Sequence, residues 1–150
     1  MGLFGKKKED NGPKPLEKYQ VIYKGGLPEY SKSKASGINF MLFEDRLQFT
    51  PTMGSKSWFS ELTILYSDIS DITIESRIVG TAEALLGGLD SRQLDHKNNI
   101  HIKFTYNGRP TILRLEMLTG VTVMGQAAKC KEFEDRLLVH GIREKFARHN

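Results

Sequence analysis

Four histidines (His96, His101, His140 and His149) and one cysteine (Cys130) are the side chains of this sequence best able to ligate a transition metal. A zinc centre needs three or four such ligands at spacings that let them converge tetrahedrally. His96 and His101 fall on either side of an expected loop-to-strand boundary, with no carboxylate joining them at ligand spacing, so the histidines read as surface residues. Ser67-Asp68 and Ser70-Asp71 set two hydroxyls beside two carboxylates, but a nucleophilic serine needs a base to take its proton and no motif supplies one. Turn formation accounts for both pairs, because short polar side chains bond their own backbone. Gly25-Gly26 and Gly87-Gly88 lack the spaced glycines and the Lys-Ser/Thr ending of a phosphate cradle. Cys130 cannot form an intrachain disulfide, and its place at helical spacing beside Phe133 is that of a packing residue. The chemistry-bearing residues thus point to no catalytic, cofactor or metal site, and the chain is expected not to be an enzyme.

These residues must be positioned by elements, and the stretch from Glu61 to Ser76 declares the architecture. Leu62, Ile64 and Tyr66 alternate with Thr63, Leu65 and Ser67, and Ile72 and Ile74 with Asp71, Thr73 and Glu75, giving the period-2 pattern of half-buried strands. Between them Ser67-Asp68-Ile69-Ser70-Asp71 predicts a tight corner held inside by Ile69. Further strands are predicted over 19–24, 38–43 and 46–50, the last two joined through Glu44-Asp45. The clearest local signal is Asn107-Gly108 between strands over 100–106 and 111–118. Ala127, Cys130, Phe133, Leu137 and Leu138 recur at helical spacing, predicting one amphipathic helix that starts near Thr122 and stops at Gly141.

At 150 residues, 39% apolar and 27% charged, the chain suits one domain with a core of its own. Residues 1–17 are predicted to be a flexible tail, 18–142 a domain interrupted by an insertion at about 77–98, and 143–150 a charged C-terminal tail that frays, with or without a further helical turn first. The longest apolar runs are too short to cross a bilayer, and residues 1–8 place their charges after their apolar residues, opposite to a secretory signal. Lys6 stands where a myristoylation pattern needs Ser or Thr. A cytoplasmic protein is expected, peripheral at most to the inner face of a membrane. The net charge of +4 is interspersed with carboxylates, and no basic stripe with stacking aromatics suggests a nucleic-acid partner.

Seven strands in hairpin order followed by one helix describe a mainly β fold, an antiparallel barrel or orthogonal sandwich with the helix over its open end. The strand pair 40–49, the corner 64–72 and the terminal helix resemble the bacterial pleckstrin-homology-like and GRAM-like domains over roughly residues 19–140. The resemblance implies a module that binds phosphoinositides, peptides or proteins, or assembles with itself. It also implies a role for basic residues after the first strand, where Lys24, Lys32 and Lys34 mimic the family's spacing as candidate anionic-ligand contacts. Lys32 and Lys34 fall in a predicted loop, whereas the family places its paired basic residues on the second strand.

Two functions follow as expectations, ahead of a third, an enzyme with an unrecognised site that a deep pocket with convergent titratable groups would reveal. The first is a non-catalytic protein-interaction or self-assembly module, a scaffold, whose candidate interface is Leu85, Leu86 and Leu89 in an insertion more apolar than a surface loop needs. The alternative is peripheral binding to anionic membrane lipid through Leu3, Phe4, Lys6, Lys7, Lys8 and the 24–34 loop. Neither requires a cofactor.

Overall fold

The computed structural model describes residues 14–30, 36–78, 95–118 and 123–147, with backbone alone at 75–78, 95–98 and 123–127. Seven antiparallel strands form one sheet: β1 (Glu17–Gly25), β2 (Gly37–Leu42), β3 (Arg46–Pro51), β4 (Leu62–Leu65), β5 (Ile69–Ile78), β6 (Asp95–Tyr106) and β7 (Arg109–Met117), followed by the helix α1 (Val123–Val139). Their order is β4-β3-β2-β1-β7-β6-β5. The expected mainly β architecture with a C-terminal helix is therefore present. Two meanders, each contiguous in sequence, meet along the single β1–β7 ladder, where Val21 faces Met117 and Tyr23 faces Leu115.

The sheet is open, yet it cannot be flat. Seven strands laid side by side would hold β4 and β5 about 29 Å apart at a spacing of about 4.8 Å. Leu65 and Ile69 are separated only by the 3-10 turn Tyr66–Asp68, a reach of at most about 14 Å. The sheet must curl until the end of β4 and the start of β5 come together at the corner, leaving between the two edges a seam without a ladder among the described residues. The predicted corner makes this bend: Asp71 Oδ1 accepts from Ile72 N at 2.8 Å, Ser70 is the extra residue of a bulge against β6, and Ile69 is wholly buried. Tyr66, inward at the corner, donates to Phe43 O at 2.6 Å and so ties the turn to the β2–β3 hairpin.

Alternation decides which side chains fill the interior. Phe40 and Phe49 face each other in register and stack with centroids 4.6 Å apart, and Tyr19 meets Phe133 of α1 edge-on at 5.6 Å. Cys130, Phe133 and Leu137 are buried, as their spacing predicts. Leu138 is a correction, since it is 78% exposed. It follows Leu137 by one residue, which turns it about 100° around the helix and off the buried stripe. The helix stops as expected: Gly141 lies at φ +62°, its N–H donates to Leu138 O and the N–H of Ile142 donates to Leu137 O, the paired bonds of a Schellman ending.

Two expected boundaries also move. β5 continues to Ile78 and β6 begins at Asp95, so 95–99 is strand where the sequence suggested a polar segment. A two-stranded ribbon is held by main-chain bonds and needs no alternation of apolar side chains, which leaves no signal to read. What remains of the insertion, 79–94 with Leu85, Leu86 and Leu89, lies outside the described residues, and so does most of the N-terminal tail.

The expectation that the chain frays after Ile142 is corrected for residues 143–147, while 148–150 lie outside the described residues. Arg143–Lys145 forms a 3-10 turn, and the segment is stitched across the seam. Ala147 N donates to Ile69 O at 2.8 Å, Arg143 Nη2 to Ile72 O at 2.9 Å and Lys145 Nζ to Glu44 O at 2.8 Å, while Phe146 packs beside Tyr66. The charged residues hid an anchor: Phe146 is 8% exposed.

Candidate functional site

At the end of the sheet where β1 leaves the core, Tyr23 organises the connection to β2. Its hydroxyl accepts from Leu27 N at 2.9 Å and donates to Tyr30 O, which pins Tyr30 over the opening. Tyr30 in turn packs edge-on against Trp58 at 5.5 Å and tilted against Phe59 at 5.7 Å, both from the β3–β4 connection. Tyr106, the last residue of β6, donates its hydroxyl to Glu29 Oε2. That bond pushes the Tyr106 hydroxyl up to about 12, because losing its proton would leave two anions in contact.

These contacts surround a cleft of about 120 Å³. Leu27 and Phe59 form its apolar floor, Tyr30 and Tyr106 its walls, and Glu29 and Glu61 its exposed rim. None of its described lining residues is cationic. A concave, aromatic, carboxylate-rimmed opening can hold a ligand but contains no nucleophile paired with a base.

The residues singled out in the sequence are not gathered here. Lys24 is exposed on β1, where it is the extra residue of the bulge between Tyr23 and Gly25 against β7. Lys32 and Lys34, like Leu3, Phe4, Lys6, Lys7 and Lys8, lie outside the described residues. His140 stands 2.9 Å from Glu17 Oε2, with Arg136 Nε 3.7 Å from the same oxygen, so the histidine joins the end of α1 to the start of β1. His101 lies on the outward face of β6, opposite Thr73 of β5 and Arg114 of β7. Among the described residues no three His, Cys, Asp or Glu side chains cluster as metal ligands would. No helix among them is long and apolar enough to cross a membrane.

Burial raises the Cys130 thiol to about 12, with the nearby Glu134 carboxylate adding to the shift. Relative to a thiol at 9.0, its thiolate population near neutral pH falls on the order of a thousandfold. Alkylation of the native protein by iodoacetamide is accordingly expected to be negligible over hours and complete within minutes in denaturant. Prompt labelling of the native state would refute the packing role.

Glu29, Tyr30, Phe59, Glu61 and Tyr106 were not recognisable as a group beforehand. They come from three connections far apart in the chain, and only the order of the strands brings those connections to one end. The available signal was an aromatic inside each of two connections, Tyr30 and Phe59, and one ending a strand, Tyr106. Neither a protein-family model nor a curated protein matches this sequence.

Proposed function

We infer that the chain is a non-catalytic protein-interaction module of the pleckstrin-homology-like or GRAM-like kind that assembles with copies of itself, acting as a cytoplasmic scaffold. The strand order and the terminal helix support the family reading. The observation that carries self-assembly is the overhang of β5 and β6. β7 pairs with β6 only as far as Asn99, so the pairs Ser76–Lys97, Arg77–His96 and Ile78–Asp95 run on as a two-stranded ribbon with no third strand among the described residues. Such a ribbon is marginal alone, and its unpaired edges favour addition of another strand. It leads into 79–94, where Leu85, Leu86 and Leu89 supply apolar surface for a second subunit.

The test is mass in solution. The parent should exceed the mass of one chain, and Leu86→Glu should lower it to that of a monomer while leaving the far-ultraviolet circular dichroism and cooperative unfolding largely intact. A variant that keeps its mass and loses stability would assign these leucines to the core instead. Peripheral binding to anionic lipid is the alternative, supported by the exposure of Lys24. It requires salt-sensitive sedimentation with phosphatidylserine vesicles that is absent with phosphatidylcholine ones.

A further inference from the structure

The cleft between the β1–β2, β3–β4 and β6–β7 connections offers a chemistry that self-assembly does not use. Its walls present the rings of Tyr30 and Tyr106, and ring faces attract a cation through their quadrupole. Two carboxylates, Glu29 and Glu61, stand at the rim, and the Tyr106 hydroxyl already fixes one of them in place. Leu27 and Phe59 close the floor against water, which strengthens any charge interaction above them. About 120 Å³ suits a guanidinium or ammonium with part of its alkyl stem and is too little for a larger ligand.

We propose that this cleft binds the cationic side chain, arginine or lysine, of a partner polypeptide. Charge complementarity sets the choice: an anion entering here would meet two carboxylates and, among the described lining residues, no cation. The alkyl stem would lie along Tyr30 and Phe59, and the charged head would sit between the ring of Tyr106 and the carboxylate of Glu61. Glu29, held by Tyr106, would be available on the opposite side of the opening. A peptide with one protruding arginine or lysine satisfies this arrangement without any change in the sheet.

The experiment uses the full chain and a blocked tetra-arginine peptide. Emission from Trp58, the chain's one tryptophan, is the first readout, because its ring packs edge-on against Tyr30. Anisotropy of a fluorescein-labelled peptide is the second and does not depend on Trp58. The chain carries a net charge of +4, which opposes diffuse accumulation of a polycation, so saturable binding requires a local site. Saturation is expected with tetra-arginine and tetra-lysine, and affinity should be at least about tenfold lower for tetra-citrulline, the uncharged isostere of tetra-arginine. Glu61→Gln, an exposed substitution, should weaken tetra-arginine binding by about tenfold and leave the melt unchanged. Equal binding by tetra-citrulline, equal binding by Glu61→Gln, or a preference for tetra-glutamate would each overturn the proposal. The result is separable from self-assembly: a monomer that binds the peptide upholds the cleft, and an oligomer that ignores it does not.

Discussion

Leu137→Asp is expected to leave the protein unfolded at room temperature. Leu137 is 1% exposed on the buried stripe of α1, beside Phe133 and Cys130, and its carbonyl accepts the Ile142 bond that ends the helix. A carboxylate there must be buried without a partner or must drive the helix off the sheet. Removing the leucine side chain alone costs about 2–5 kcal/mol, and burying a charge adds to that, against a stability of about 5–15 kcal/mol for a domain of this kind. The neighbouring Leu138→Asp is the control, since Leu138 is exposed and should change stability by less than about 0.5 kcal/mol. Circular dichroism melts of the two variants decide the matter. Similar cooperative transitions in both would mean that α1 does not bury the face described.

The second large effect is at Gly26. Its φ is +115°, and a Cβ added there would stand 1.9 Å from Ile112 O and 2.9 Å from Ile112 C. The obstacle is the backbone of β7, which cannot rotate away as a side chain could. Gly26→Ala should therefore pull β1 from β7 at the point where Tyr23 holds the turn to Leu27 and Tyr30, with a loss of about 3 kcal/mol or more. Gly108→Ala provides the comparison. Gly108 also has a positive φ, +78°, but a Cβ there meets nothing within 4 Å, so only conformational strain of about 1–2 kcal/mol is expected. Equal denaturation midpoints for the two alanine variants would show that the close approach at Gly26 does not exist.

The contrast between these sites follows what the sequence made legible. Asn107-Gly108 announced its hairpin because turn geometry is set by adjacent residues, and both adopt the positive φ that such a turn needs. Ile64, Ile72, Phe133 and Leu137 were legible because period-2 and helical patterns report directly on burial. Gly26 read only as part of a turn, since its constraint comes from Ile112, a residue distant in sequence. Phe146 was masked by the charges around it, and its burial depends on the seam that the curled sheet creates. The cleft was illegible for the same reason: Glu29, Phe59 and Tyr106 become neighbours through strand order, which no local pattern encodes. Leu138 was misplaced because two adjacent leucines fit one broad stripe until the helix is set against the sheet.

The position of β1 between the two meanders has a consequence for how the chain assembles. β1 to β4 can pair in order as the chain lengthens, each strand finding the one made just before it. The other edge of β1, from Val21 to Gly25, has its partner in Arg114–Met117, near the end of the last strand. A growing polypeptide thus holds that edge open until almost all of the sheet has been made, and loop closure over so long a span is slow. Only then do β5, β6 and β7 join the first four strands, and the segment ending in Phe146 can cross to Ile69. Residues made after the whole sheet are those that fasten it.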